Sequence, residues 1–289
     1  MKSRPHIPVD LWNTCRKCGA MQYRPEFEAA LRVCSACNYH DRMDAAERIA
    51  LLLDEPKSFI EIDADITAAD PIEFVRPSGS YMDRVGKARA LTNRNEAIVC
   101  GTGLLNERRV ALGVMEFGFI AGSMGSATGE KITRLFEMAR RELLPVITVT
   151  SSGGARQDEG LFALMQMART TAAAARLREV QIPHICVMAD PTLAGVTASF
   201  AATADIIIGE PGATIRFAGS RVVKGTIRRR SDVEDHTSEW VQQHGMLDLV
   251  LARQELRDTL AQLITHLAPV GHTRNLKPKT QPATTPKPN

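Results

Sequence analysis

The chain has 289 residues, 44% hydrophobic and 24% charged, which is long enough for a substantial core and ordinary for a globular protein. Aromatic residues make up only 5%, too few for a base-stacking nucleic-acid platform. The formal charge of +3 is no sign of a polyanionic partner, because from Thr259 onward there is no acid, only Arg274, Lys277, Lys279 and Lys287; without those four, 32 basic residues face 33 acidic ones.

No run reaches the roughly 18 apolar residues of a membrane span, and "MKSRPHIPVDLW" lacks the apolar core of a signal peptide. A cytoplasmic protein without a membrane partner is expected. In that compartment the six cysteines are not expected to form a disulfide framework.

Four of them, Cys15, Cys18, Cys34 and Cys37, follow a C-x2-C-x15-C-x2-C pattern, the spacing of a four-thiolate zinc site. Gly19 and Asn38, one after each pair, suit the left-handed turn that brings both sulfurs of a pair to one metal. Four thiolates leave no open position for water, so the zinc is expected to be structural. Residues 1–43 read as a zinc ribbon with an N-terminal extension. Such ribbons also occur in nucleic-acid-binding and regulatory proteins, an alternative that the near-neutral body disfavours. Cys100 and Cys186 sit in strand-like runs and read as buried packing residues.

After the ribbon, "DAAERIALLLDEPKSF" predicts an amphipathic helix capped by Asp44 and ending before Pro56. The next stretch is polar and loop-rich, with a helix near its end. "EAIVCGTGLL" and "RRVALGVMEFGF" predict strands joined at Asn106–Glu107, and the second leads through a Gly/Ser loop into the helix "GEKITRLFEMARREL". The strand "LPVITVT" then runs through "SSGGAR" into "DEGLFALMQMARTTAAAARLREV". In that helix Leu161, Leu164, Met165, Ala168, Ala172 and Ala175 mark the expected buried face. "IPHICVMAD" and "DIIIGEPGATIRFAG" each begin a further strand–loop–helix unit. Repetition of this kind predicts an α/β fold over 44–268. The segment 269–289, rich in Pro, Thr and Lys, is expected to be disordered.

The glycine loops do not fit familiar nucleotide sites. In "GSMGSATGEKIT" Lys131 does not follow a glycine, so the phosphate-loop spacing fails. Ser151 and Ser152 lack a nucleophile elbow, and neither His184 nor His244 is placed by sequence to activate them. Two readings of "SSGGAR" remain. Its glycines serve a tight turn, or the bare backbone N–H groups of Gly153, Gly154 and Ala155, at a strand-to-helix junction, stabilise an oxyanion.

"WNTCRKCGAMQYRPEFEAALRVCSAC", "MEFGFIAGSMGSATGEKITR", "SSGGARQDEGLFALMQMARTTAA", "ADPTLAGVTASFA" and "HGMLDLVLARQELRDTL" together resemble the bacterial acetyl-CoA carboxylase carboxyltransferase β subunits, in order from about Trp12 to Leu267. The resemblance implies a crotonase-like superhelix of repeated ββα units behind the ribbon. It implies transfer of a carboxyl group from carboxybiotin, held on the biotin carboxyl carrier protein and not on this chain, to acetyl-CoA, giving malonyl-CoA. The implied partners are an α subunit in an α2β2 assembly, the carrier protein and biotin carboxylase. Carried onto this sequence, Gly153 and Gly154 form the oxyanion hole, Arg156 and Glu159 brace the loop, and Gly122, Ser123, Met124, Gly125 and Gly195 line the acyl-CoA cleft.

The chain departs from the family pattern at Ala121 and Ala194, where glycine is usual, at Gln157–Asp158, and in the charged segment around Arg228, Arg229 and Arg230. These departures allow a specialised or inactive paralogue serving another acyl-CoA as the alternative.

Overall fold

The computed structural model describes residues 11–77, 79–217 and 236–268. The Pro/Thr/Lys tail and Arg228–Arg230 lie outside them. A small hairpin, β1 (Trp12–Thr14) with β2 (Met21–Tyr23), is followed by α1 (Arg24–Ala29) and carries the first cysteine pair. Gly19 (φ 74°) and Asn38 (φ 55°) both take the left-handed turn expected of them. Helix α2 (Ala45–Leu52) starts at Asp44, whose side chain accepts from the Glu47 N–H while Glu47 returns a bond to the Asp44 N–H. This capping box satisfies two N–H groups that the first turn leaves orphaned.

The loop-rich segment contributes β3 (Ile60–Ile62), a two-stranded ladder of β4 (Val75–Arg76) and β5 (Gly79–Ser80), and α3 (Tyr81–Thr92). Next come β6 (Ile98–Leu105) and β7 (Arg108–Met115). They are antiparallel and joined through left-handed Asn106 and Glu107, as a tight hairpin requires. Then α4 (Ser126–Glu142), β8 (Val146–Ser152), α5 (Leu161–Glu179) and β9 (His184–Leu193) alternate. A short helical turn, Ala194–Val196, runs into a wide turn at Thr197–Ala201. The chain continues with β10 (Ile206–Gly209), β11 (Ile215–Arg216), α6 (Ser238–Gln243), β12 (Leu249–Val250) and α7 (Leu256–Leu267).

The main sheet runs β12-β10-β9-β8-β7-β6-β3, with β11 beside β9, and it is parallel from β7 to β12. Alternation along its strands sends one set of side chains to each face. Ile98, Cys100, Val146 and Cys186 meet Ile132, Leu135 and Phe136 of α4 and Ala173, Ala174 and Leu177 of α5. Val99, Ile147, Ile185 and Val187 meet Ile49 and Leu52 of α2 and Leu256, Leu260 and Ile264 of α7. Each large apolar side chain so buried contributes about 1.5–3 kcal/mol. Cys100 and Cys186 are packing residues in the first layer, as expected.

One expectation about packing is overturned. Leu161, Leu164, Met165, Ala168, Ala172 and Ala175 of α5 face outward, and the buried face is Ala163, Gln166, Thr170, Ala173, Ala174 and Leu177. The helix is apolar on both sides, so periodicity offered two stripes, and small residues allow close packing on α4. Leu161, Leu164 and Met165 are 70, 53 and 59% exposed, with Phe162 at 46%.

His184 is buried beneath Phe136, its Nε2 2.9 Å from the Thr148 hydroxyl and its Nδ1 without a partner. Burial lowers its pKa to about 3, so the folded state holds it neutral. The unfolded chain protonates it near pH 6.5. Folded-state stability is therefore expected to fall below that pH, down to about pH 3, by up to about 1.4 kcal/mol per unit. A urea-unfolding series from pH 7.5 to 5 checks this, and the slope should flatten in His184→Gln.

Candidate active site: two interlocked loops

Strand β8 ends where its pairing with β9 shifts register, between Thr150 and Ser152. The chain leaves the sheet there as Gly153-Gly154-Ala155-Arg156 and meets the loop that precedes α4. Gly153 N–H donates to Ala121 O (2.8 Å), Met124 N–H to Gly154 O (2.8 Å) and Arg156 N–H to Met124 O (2.9 Å). Ser152 Oγ donates to Gly122 O (2.6 Å) and accepts from Gly154 N–H (3.0 Å). Ser151 Oγ donates to Asp190 O (3.1 Å). Both serine hydroxyls are thus structural, as the lack of a nucleophile elbow suggested.

This geometry changes the part that Gly153 and Gly154 can play. Their N–H groups are already bound inside the protein, so neither is free for a substrate oxygen. Their bareness serves conformation and close approach instead: Gly154 has φ 104°, and a Cβ there would lie 2.6 Å from the Ala194 methyl. The N–H groups of Ala155 and Gly195 have no acceptor within the described residues. The two are neighbours, since a Cβ on Gly195 would lie 3.1 Å from Ala155 N. Gly195 sits in the first turn after β9, where no intrahelical acceptor exists for its N–H.

Gly122, Ser123, Met124 and Gly125, expected along the acyl-CoA cleft, are all buried and form the layer behind the Gly153–Arg156 loop. Gly122 (φ 62°) lies so close to Ser151 O that no side chain fits. Ser123 binds Arg156, and Met124 is fully buried. Ala121 (φ 55°) and Ala194 (φ 48°) hold the left-handed conformation for which glycine is the natural residue.

Arg156 is the hub that fixes both loops. Its guanidinium, fully buried, pairs with Glu96 and donates to Tyr81 Oη (3.0 Å), Ser123 Oγ (3.1 Å) and Ser123 O (2.6 Å), with Glu159 at 3.5 Å. Burial works against its charge, but Glu96 outweighs this and leaves the pKa above the ordinary arginine value. Glu159 accepts from Tyr81 Oη and, at the first turn of α4, from the Ser126 N–H and hydroxyl, each at 2.5 Å. Its negative charge suits the positive end of that helix.

Asp158, one of the departures, is buried and clamped by Arg76 (2.7 Å) and Arg84 (2.5 Å). Burial raises its pKa, but the two arginines prevail and hold it below the usual carboxylate range. Sequence reasoning missed Glu96, Tyr81, Arg76 and Arg84, because they lie in segments that carried no motif. Ala155 is the one member of the expected amide set, Gly153 to Ala155, whose N–H is free.

The ribbon cysteines do converge. All four Sγ atoms lie within 4.8 Å of one another, with Cys15–Cys37 and Cys18–Cys34 both at 3.7 Å. A tetrahedron with metal–sulfur bonds of about 2.3 Å has edges of about 3.8 Å, so the set fits a four-coordinate ion. The cluster can hold a metal.

Residues 40–289 match the carboxyl transferase domain. The chain belongs to the carboxyl transferase family. Among curated relatives, the acetyl-coenzyme A carboxylase carboxyl transferase subunit beta 2 of Roseiflexus sp. (strain RS-1) is 44% identical over 265 residues, covering 92% of this chain and 87% of the relative. A fused subunits beta/alpha protein of Natranaerobius thermophilus is 41% identical over 262 residues, 91% of this chain but 42% of that longer one. In a solved hetero-tetrameric Pseudomonas malonate decarboxylase with malonate, a chain superposes with TM-score 0.65 at 22% identity, over 83% of this chain and 92% of that one. The fold of this family member is crotonase-like, an α/β layered sheet behind a four-cysteine ribbon, as the motifs implied. Among the described residues, no helix is long and apolar enough to cross a membrane.

Proposed function

We propose that the chain is the β subunit of an acetyl-CoA carboxylase carboxyltransferase, working in the cytoplasm. The observation that carries this reading is the pair of unpartnered amides, Ala155 on the loop that buried ion pairs hold and Gly195 beside it in the turn after β9. Carboxybiotin, presented by the carrier protein, would supply the carboxyl group and take up the proton that the acetyl-CoA methyl group gives up, so that malonyl-CoA forms. The chain then needs no nucleophile or side-chain base, only donors for the thioester oxygen as it gains charge. One such donor is worth about 3–4 kcal/mol of barrier.

The ribbon cluster is read as a structural zinc site, all four positions being taken by thiolates. An α subunit with which this chain forms α2β2 is supported by the outward apolar face of α5, which begins five residues after Arg156. The carrier protein and biotin carboxylase complete the assembly. A second reading, a copy serving another acyl-CoA, draws on the methyl groups at Ala121 and Ala194, since both border the Gly153–Gly154 turn.

The test is the reverse reaction, malonyl-CoA-dependent carboxylation of biocytin. The chain alone is expected to be inactive, and its mixture with a cognate α subunit active. A well-formed, zinc-loaded complex with no activity on malonyl-CoA would overturn the reading, and activity on a larger dicarboxylic thioester alone would favour the second.

A further inference from the structure

The ribbon and the Gly153–Arg156 loop are joined by a short run of contacts. The second cysteine knuckle closes on itself through Asn38 N–H to Cys34 O (2.8 Å) and Cys34 N–H to Tyr39 O (2.9 Å). The backbone of Tyr39 is therefore fixed by the knuckle. Its half-buried side chain crosses to the sheet, where the hydroxyl donates to Asp190 Oδ2 (3.3 Å). Asp190 is held on its other oxygen by the Thr214 N–H (2.9 Å), and its carbonyl accepts the Ser151 hydroxyl (3.1 Å).

Ser151 lies at the register shift where β8 leaves the sheet, and its carbonyl abuts Gly122. A second strap runs parallel: Arg253 donates to Leu31 O (2.6 Å), its N–H reaches His40 Nε2 (3.2 Å), and its guanidinium pairs with Glu210, as does that of Arg48. A small cavity separates the straps, lined by His40, Ser151, Asp190, Glu210 and Arg253. Among these contacts the Tyr39 strap is the one that reaches Ser151, at the end of β8 and two residues before Gly153.

We propose that Tyr39 is a positioning residue, through which the metal-bound knuckle sets the Ser151–Arg156 loop by way of Asp190. The inference rests on the carboxyltransferase reading only for its kinetic arm. Removing one hydrogen bond in such a relay loosens the loop without taking away any group that touches the reacting atoms. Tyr39→Phe keeps the ring and its packing, so the fold and the metal site should survive.

The experiment uses the full chain assembled with its α subunit, wild type beside Tyr39→Phe. Zinc content should stay at one ion per chain. Amide exchange of the peptide spanning 148–156 should quicken about fivefold in the variant. The kcat of biocytin carboxylation should fall about tenfold, with KM for malonyl-CoA unchanged. Stripping the metal with a chelator should quicken exchange of the same peptide in the wild type and add little in the variant.

Unchanged exchange in Tyr39→Phe, or an equal response of both proteins to the chelator, overturns the relay. If neither protein carboxylates biocytin, the functional reading fails while the exchange result still decides the relay.

Discussion

Replacing Arg156 by methionine should lower stability by about 3–5 kcal/mol and abolish measurable carboxyl transfer. The guanidinium is fully buried, and it answers two buried carboxylates, Glu96 and Glu159. Methionine fills similar volume but leaves those charges unpaired, and breaking a buried pair from one side costs that much. The effect should be largely one of electrostatics and not of packing, which a double-mutant cycle can show. Adding Glu96→Gln removes one orphaned charge, so Arg156→Met/Glu96→Gln should regain a good part of the lost stability by urea midpoint. Activity should not return with it, because Ser123 and Tyr81 also lose their bonds to Arg156 and the two loops are no longer tied. A single variant as stable as the wild type would show that the hub is dispensable.

That hub also shows what could be seen in the sequence and what could not. The strand–loop–helix alternation, the Asn106–Glu107 turn, the Asp44 cap and the convergence of four cysteines all follow from local rules, in which spacing alone fixes geometry. Arg156 and Glu159 were visible as part of a motif. Glu96 and Tyr81, from polar segments far upstream, were not, because the pairing depends on how α3 and the start of β6 fold back over the loops.

The outward face of α5 failed for a related reason. Leu161, Leu164 and Met165 carry the same pattern whether a helix faces its own core or another chain, and periodicity cannot separate the two. The amides misled differently. "SSGGAR" advertises its glycines, but a glycine permits a turn and need not supply the donor. Which N–H groups stay free is decided by where acceptors fall, Ala121 O from the loop before α4 and Ser152 Oγ from within the motif, and spacing shows neither.

Gly195→Ala separates those possibilities more sharply than any change at Gly153 or Gly154. The φ of Gly195 is not in the left-handed region, so alanine can adopt it without backbone strain. The added methyl would lie 3.1 Å from Ala155 N, 3.2 Å from Ala155 Cβ and 3.4 Å from Met167 Sδ, contacts that shifts of a few tenths of an ångström relieve. Stability should therefore change by less than about 1 kcal/mol, the lost glycine entropy in the unfolded chain offsetting the crowding.

A methyl group 3.1 Å from Ala155 N crowds the approach to that amide, whereas a useful donor must let the oxyanion come within about 2.7–3.1 Å. The kcat for biocytin carboxylation should drop about 100- to 1,000-fold, the loss known for removing one oxyanion donor, with the urea midpoint and assembly unchanged. Gly154→Ala, by contrast, forces a φ of 104° on alanine and drives its methyl into Ala194, so it should lose stability and activity together. Activity of Gly195→Ala within about threefold of wild type would be far short of that loss, and would place the oxyanion away from Ala155 and Gly195. A selective fall in kcat, with the fold intact, ties the chemistry to two backbone amides that no side-chain motif marks.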